Sequence, residues 1–433
     1  MKVLFVTEPF SVEPLGIAYL AASLKKHGHE PELLRINDNG FLHEFSELNP
    51  DVVAFSVTTG KQRKFLELAR RMKKLNPDVK IIFGGSHPTY FPEIISNECI
   101  DAVIRGEADK ALPELIDELQ VKKQCRRLTE FRTLEQNIDR IPFPDREFLY
   151  KYPENRNNPI KNVITSRGCR FSCPYCFNSI YKDFYKGQEW VRFRSADNVI
   201  KECVELKKYP LKLIFFQDDE FLSNPDLYEF LRKYKVQVGV PFHCQIRIEL
   251  LTDEKAQRLK EAGCTGVTFA VECGDPEIRK NLLQRNMTDE QIFKGVELLH
   301  KYGFKIRTEN MLGLPGESLS QMLKTLKINA KIRPTIGWCS IFQPYPRLPL
   351  GEYAYQKGYW SGKGEYSETF FETTMLNTPL KKEVINLQRL FGVAVHSWCV
   401  KVCIKALIKI PNNKTYDRIA KWWKQRQYNK LYQ

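Results

Sequence analysis

Ser166-Arg167-Gly168-Cys169-Arg170-Phe171-Ser172-Cys173-Pro174-Tyr175-Cys176-Phe177-Asn178 sets three cysteines in a C-x3-C-x2-C spacing, directly after the short apolar run Val163-Ile164-Thr165. Spacings of three and two let one tight loop fold its sulfurs around a single centre. A structural zinc site closes with four protein ligands. Three thiolates suit three irons of a cubane cluster and leave the fourth iron open to a small molecule. The loop therefore reads as a reactive metal centre at the end of a buried strand.

Beyond it the chain alternates. Strands are expected at 211–216, 238–246, 266–271, 304–312 and 335–342, and helices at 196–207, 252–262 (opened by a Thr252 cap) and 291–302. With 162–166 in front these make six βα units, a partial (β/α)6 barrel with its site at the strand carboxyl ends. Polar groups recur at those ends: Asp218-Asp219-Glu220, Arg247, Glu272 and Gly313-Leu314-Pro315-Gly316-Glu317. Each alone reads equally well as a surface charge or a helix cap; their recurrence on successive units favours one shared site.

Before it, residues 1–120 alternate short β-branched runs (3–7, 30–36, 51–58, 79–84, 101–104) with helical patterns at 15–27, at 61–75 and through Leu112 and Leu119. That pattern implies a parallel sheet covered on both faces, a flavodoxin-like (Rossmann-type) α/β domain. Ligands of such sheets bind beyond the strand carboxyl ends. Three loops fall there: Glu8 to Gly16, Ser56-Val57-Thr58-Thr59 and Gly84-Gly85-Ser86-His87-Pro88. Gly84-Gly85 permits close backbone approach to a ligand. The first strand is followed by no G-x-G-x-x-G, which disfavours a dinucleotide. Residues 121–160, with Pro142, Pro144, Pro153 and Pro159, read as a linker with few regular elements.

The chain of 433 residues carries a net charge of +15 with ordinary globular composition, and no apolar run reaches membrane-spanning length. Twelve scattered cysteines, three of them clustered, suit a reducing cytoplasm with one metal site rather than a disulfide framework. From Lys401 to Gln433 there are nine Lys or Arg and one Asp.

The cysteine loop and the strand-end groups resemble the radical S-adenosylmethionine superfamily. Pro14-Leu15-Gly16-Ile17-Ala18-Tyr19-Leu20-Ala21, Gly84-Gly85-Ser86-His87-Pro88-Thr89 and Val103-Ile104-Arg105-Gly106-Glu107 resemble the cobalamin-binding domain that precedes many of its members. The resemblance covers residues 1–345. It implies a four-iron, four-sulfur cluster on Cys169, Cys173 and Cys176, with S-adenosylmethionine chelating the open iron. It places Tyr175 beside the adenine and Asp218-Asp219-Glu220 at the cofactor's amino group. Arg247 would pair with its carboxylate, Glu272 with the ribose hydroxyls, and the Gly313, Pro315 and Gly316 turn with the adenine. Leu15, Gly16, Ser56, Thr58, Gly84, Gly85, Ser86, His87, Gly106 and Glu107 would border cobalamin. The family's D-x-H-x-x-G element is missing, so the resemblance implies cobalamin bound without a histidine below the cobalt; His87 follows the fourth strand and is a poor substitute.

The reaction this implies is radical methylation: a 5′-deoxyadenosyl radical takes a hydrogen from an unactivated carbon, which then collects the methyl group of methylcobalamin. A cobalamin-dependent cyclisation, ring contraction or other rearrangement is the alternative. A non-catalytic cobalamin or iron–sulfur sensor is a third reading, against which the full set of strand-end groups weighs. Methylthiolation would need a second cluster in the first domain, where only Cys99 and Cys125 stand. The expected partners are a small-molecule or lipid substrate and an electron donor such as flavodoxin or ferredoxin, with nucleic acid disfavoured.

Residues 346–433 form a third, helical and basic region, with helices expected at 351–356, 381–390, 391–410 and 416–428 and a stop at Ile410-Pro411-Asn412-Asn413. Lys401, Lys405 and Lys409 stand four apart, and Trp422-Trp423 lie among basic residues. This suits a cap whose apolar stripe packs on the barrel, or a peripheral contact with an anionic membrane.

Overall fold

The computed structural model describes residues 1–10, 12–37, 40–122, 127–130, 133–364, 366–411 and 414–432. The chain folds as two units, Met1–Val163 with Phe184–Leu211, and Ile164–Asp183 with Lys212–Gln433.

The first unit runs β1 (Lys2–Thr7), α1 (Leu15–Lys26), β2 (Glu30–Arg35), α2 (Phe41–Leu48), β3 (Val52–Ser56), α3 (Gln62–Leu75), β4 (Lys80–Gly84), α4 (Ser86–Tyr90), β5 (Ala102–Arg105), α5 (Ala111–Lys122) and β6 (Leu128–Glu130). The strands are parallel in the order β2-β1-β3-β4-β5-β6, so strand order reverses between β1 and β3, where a flavodoxin-like sheet opens its crevice. Because strand side chains alternate between faces, Val3 and Phe5 pack against α1 and α5, and Leu4 and Val6 against α2 and α3. Two cores thus cover one sheet, as the near-continuous apolar strands require.

The stretch 121–160, expected to be a linker with few regular elements, holds α6 (Arg146–Leu149) and α7 (Pro153–Arg156), followed by β7 (Ile160–Val163). Phe148, Leu149 and Tyr150 bury in the first core. Buried Arg146 pairs with Glu13 at 2.8 Å and with Glu202 at 2.6 Å, and its Nη2 also donates to the Asn162 carbonyl. Breaking one partner of such a buried set costs about 3–5 kcal/mol. The segment is therefore part of the first unit, fastened by charge that no periodicity could announce.

β8 (Ser166–Arg167) and α8 (Phe177–Phe184) bracket the cysteine loop, and β9 (Arg192–Phe193) leads to α9 (Ala196–Glu205). The second unit continues with β10 (Leu213–Phe216), α10 (Leu227–Gln237), β11 (Phe242–Ile246), α11 (Asp253–Glu261), β12 (Cys264–Glu272), α12 (Asp289–Lys301), β13 (Lys305–Leu312), α13 (Leu319–Ile332), β14 (Ile336–Gly337) and β15 (Ser340–Ile341). The strands β10-β11-β12-β13-β14 lie side by side and parallel, and β15 pairs with β13 beyond β14. The expected strand 335–342 is thus divided at Trp338 and Cys339. Thr252 caps α11 as expected, its hydroxyl accepting from the Lys255 amide at 3.2 Å. Capping boxes open α12 (Thr288, Gln291) and α13 (Ser318, Gln321).

Four helices complete the chain: α14 (Pro349–Gln356), α15 (Lys381–His396), α16 (Trp398–Leu407) and α17 (Lys414–Tyr432). Ser397 cuts the helix expected at 391–410 and caps α16, accepting from the Val400 amide at 3.4 Å. Phe391, Ala394, Ile404, Ile408 and Tyr416 share a core with Leu312, Met322 and Leu326, so the tail caps the second unit. Asn412 and Asn413 of the expected stop lie outside the described residues, as does Cys125. Among the described residues no helix is long and apolar enough to cross a membrane.

Candidate active site

Gly168, at φ +84°, turns the chain into the cysteine loop, and the Cys176 amide closes a turn on the Cys173 carbonyl at 3.0 Å. Cys169, Cys173 and Cys176 are half-buried and in no disulfide. Burial pushes the Cys169 thiol up to about 11 and the Cys176 thiol up to about 12. Among the described residues no three His, Cys, Asp or Glu side chains are grouped so as to hold a single metal ion. A cubane asks for something else, one thiolate per iron. The donor set fits it: three half-exposed thiols on one turn, with the Arg247 guanidinium 3.8 Å from the Cys173 sulfur.

The strand ends supply the surroundings. Asp218, after β10, turns back to receive the Thr165 amide (2.9 Å), the Thr165 hydroxyl (2.8 Å) and the Ser166 hydroxyl. It thereby clamps the entry to the cysteine loop, and burial pushes its carboxyl up to about 6. Its second oxygen is buried without a partner among the described residues. Glu220 caps its own turn, accepting from the Leu222 amide at 2.8 Å and from the Ser223 hydroxyl. Only Asp219 is exposed, accepting from Asn178 at 3.0 Å. The three acids expected to act together thus have three different partners.

Arg247, after β11, lies 3.7 Å over the Phe171 ring, and its Nε donates to Glu249 at 2.6 Å. Glu249 holds one edge of the guanidinium and leaves Nη1 towards the cysteine loop.

Glu272 ends β12 at φ +64°, a left-handed conformation that costs a non-glycine residue about 1–2 kcal/mol, and the β12–β13 register shifts there. The bend brings its carboxylate to the cysteine loop, where the Tyr175 hydroxyl donates to it at 3.0 Å. Arg285, which sequence reasoning missed, completes the group. Its Nη1 is 3.3 Å from the Tyr175 hydroxyl and 3.7 Å from Glu272, and its Nη2 donates to the Ala270 carbonyl at 2.9 Å. Burial raises the Glu272 carboxyl to about 6 while Arg285 pulls the other way. Arg285 stands outside every strand-end motif, in a loop with no local signal.

Gly313 (φ +70°) and Gly316 (φ +76°) make the turn after β13. A Cβ on Gly316 would lie 2.8 Å from the Tyr359 hydroxyl, so that glycine admits a neighbouring side chain. Glu317 accepts from the Leu314 amide at 3.0 Å and is pushed up to about 7 by burial.

In the first unit, Leu15 is buried while Gly16 is exposed at the start of α1, and Ser56 and Thr58 are exposed beyond β3. The close approach expected of Gly84-Gly85 is to the chain itself: a Cβ on Gly85 would lie 2.9 Å from the Val57 amide nitrogen and 3.2 Å from the Ser56 hydroxyl. Ser86 opens α4. His87 is buried, its Nδ1 3.1 Å from the Thr59 hydroxyl. Burial pushes His87 down to about 4, against the pull of Glu93. The Gly106 amide donates to Thr89 at 3.1 Å, and Glu107 is taken by Arg192, so both brace the fold locally. Glu8, in the loop after β1, feels burial upward and more strongly the Lys61 and Lys64 ammoniums, which lower it.

Two family models match the chain. A B12 binding domain model matches residues 1–116, and a Radical SAM superfamily model matches residues 163–328. An uncharacterized methyltransferase of Pyrococcus horikoshii is 29% identical over 366 residues, covering 79% of this chain and 78% of its own. The anaerobic magnesium-protoporphyrin IX monomethyl ester cyclase of Rubrivivax gelatinosus is 24% identical, covering 94% of this chain and 76% of its own. In fold, the chain matches a radical S-adenosylmethionine methyltransferase, TsrM, of Kitasatospora setae, solved with cobalamin and a four-iron, four-sulfur cluster bound. The TM-score is 0.68 at 18% identity, over 82% of this chain and 75% of that one.

Proposed function

We infer that the chain, which belongs to the cobalamin-binding-domain-containing radical S-adenosylmethionine enzymes, is a methyltransferase that moves a methyl group from cobalamin to an unactivated carbon of a small molecule. The observation that carries this is the tie between the cysteine loop and the strand-end residues, in a chain whose other unit is a B12 binding domain. When bound, the cluster supplies the electron that cleaves S-adenosylmethionine to a 5′-deoxyadenosyl radical, and cobalamin supplies the methyl group. The chain's own residues bind and orient. Arg247 Nη1 is suited to the methionine carboxylate and Asp219 to the amino group, with Asp218 and Glu220 holding the loops that present them. Glu272 accepts from the ribose hydroxyls, and Tyr175 and Arg285 position it. The turn through Gly313, Pro315 and Gly316 borders the adenine. Leu15, Gly16, Ser56, Thr58, Gly84, Gly85 and Ser86 border cobalamin; Gly106 and Glu107 support those loops. No histidine reaches the cobalt in this reading, since the ring of His87 is buried against Thr59.

Relatives named as methyltransferases support methyl transfer, among them the cytidylyl-2-hydroxyethylphosphonate methyltransferase of Streptomyces wedmorensis at 23% identity. The cyclase relative supports cobalamin-dependent rearrangement as the second reading. An anaerobic assay with a flavodoxin or ferredoxin donor separates them. Methyl transfer yields S-adenosylhomocysteine and 5′-deoxyadenosine in equal amounts, and 5′-deoxyadenosine alone would sink it.

Peripheral contact with an anionic membrane belongs to the same proposal. Trp398, Val402 and Ile410 are exposed beside Lys405 and Lys409, an apolar and basic face. Lys405→Glu with Lys409→Glu is expected to halve recovery, or worse, with phosphatidylglycerol liposomes in flotation; equal recovery removes the idea.

A further inference from the structure

A cavity of about 510 Å³ in the second unit is lined by none of the residues assigned above to cofactors. That size suits a drug-sized ligand. Trp338, Phe371 and Trp423 wall it, and Gly392 makes room for the last of these: a Cβ there would lie 3.0 Å from Trp423 Cδ1 and 3.3 Å from its Nε1. The Trp423 Nε1 donor is buried and has no partner among the described residues. Lys424 enters from α17, its ammonium 4.6 Å from the Trp338 ring centroid and 5.2 Å from that of Phe371. It has no ion-pair partner among the described residues. Two carboxylates line the cavity, and both are engaged: Asp417 pairs with Arg389 at 2.8 Å, and Glu372 accepts from Ser367 at 2.6 Å. The buried Trp423 donor, without an acceptor among the described residues, and the exposed Lys424 ammonium beside aromatic rings suit one anionic group.

Side chains lead from the cavity wall along β13 towards Glu272. Trp338 carries the Arg307 guanidinium 4.4 Å over its ring, and Arg307 pairs with Glu309 at 2.9 Å. Arg307, Glu309 and Met311 share the half-buried face of β13, and the Glu309 charge acts on Glu272. Two residues past Trp338, β15 pairs with Met311 and Leu312, which lead into the Gly313 turn.

We propose that this cavity holds the substrate, a small molecule with a planar apolar body laid against the wall that Trp338 and Phe371 form edge to face, their centroids 5.1 Å apart, and one anionic group set against Lys424 and the Trp423 Nε1. The word substrate rests on the methyl-transfer reading; the binding does not, and it is tested without turnover. The intact, cofactor-loaded protein is titrated by fluorescence with 8-anilinonaphthalene-1-sulfonate and with its uncharged counterpart N-phenyl-1-naphthylamine. Saturable binding of one sulfonate per chain is expected. Lys424→Gln should weaken the sulfonate about tenfold, or about 1.4 kcal/mol, and leave the neutral dye within about twofold. Phe371→Ala should weaken both dyes. Melting temperatures and iron and cobalamin contents verify that each variant is folded, and Lys424→Met replaces the glutamine variant should that one unfold. Non-saturable binding, an unchanged sulfonate affinity in the Lys424 variant, or equal loss of both dyes there would overturn the proposal. Missing S-adenosylhomocysteine with intact dye binding would count against methyl transfer and leave the anion site standing.

Discussion

Alanine at Cys169, Cys173 and Cys176 together is expected to lower iron from about four per chain to background and to bring 5′-deoxyadenosine below detection. Cobalamin is expected to stay near one per chain. The two losses go together because the three thiols are the donor set of the candidate cluster, and without it no electron reaches the sulfonium. The thiols are half-buried and in no disulfide, and Cys173 gives up only a 3.8 Å contact with Arg247, so their removal takes little from the core. The cobalamin that remains offers a second reading in the same sample. The loop after β1 carries no histidine and His87 is engaged with Thr59. The electron paramagnetic resonance spectrum of the reduced cobalt is therefore expected not to change when histidine is labelled with nitrogen-15, which separates a histidine from cobalamin's own benzimidazole nitrogen. Iron retained in the triple variant would place the cluster elsewhere, and a splitting that follows the label would return a histidine to the cobalt.

The second large effect is expected from Arg285→Met. Its guanidinium braces Tyr175 and Glu272 and bonds the Ala270 carbonyl in a buried site. Removing it leaves a buried carboxylate and a buried carbonyl short of a donor, a loss of about 1.5–3 kcal/mol. S-adenosylmethionine affinity should fall about 10- to 100-fold, with iron and cobalamin contents unchanged. The pH dependence tells positioning from simple damage. Burial holds the Glu272 carboxyl at about 6, and Arg285 opposes that rise. The ionised form accepts best from the ribose hydroxyls, so affinity in the parent protein weakens as pH falls through about 6. Without Arg285 the carboxyl rises further and the acid limb moves towards neutral pH. Arg285→Lys restores charge without the forked bond to Ala270, and partial recovery is expected. Unchanged affinity with an unmoved acid limb in the methionine variant would remove Arg285 from the site.

The parallel sheets and the cysteine loop were legible because both rest on local pattern. Short continuous apolar runs such as Val3 to Thr7, bounded by turn signals, suit strands buried on both faces, and spacings of three and two hold sulfurs close whatever surrounds them. Thr252, as the cap of α11, was legible for the same reason. What failed to show was held by distant partners. Arg146 joins Glu13 to Glu202 across long stretches of chain, so the proline-rich segment that looked like a linker is core. Asp218, Asp219 and Glu220 are consecutive in sequence, yet a strand end sends successive side chains to opposite faces, and their partners are Thr165, Asn178 and Ser223.

By itself, then, the sequence determined the kind of chemistry: three thiolates on one turn, acids and an arginine at successive strand ends, and a flavodoxin-like sheet with ligand loops at its carboxyl edge. Local spacing carries that much. The tertiary structure alone decided which acid stays exposed, that Arg285 backs Glu272, that Gly85 makes room for Val57, and that the basic tail lines an aromatic cavity with Lys421 and Lys424. Those depend on which side chains meet across long separations, and burial, the main term in their energetics, exists only once the chain has packed.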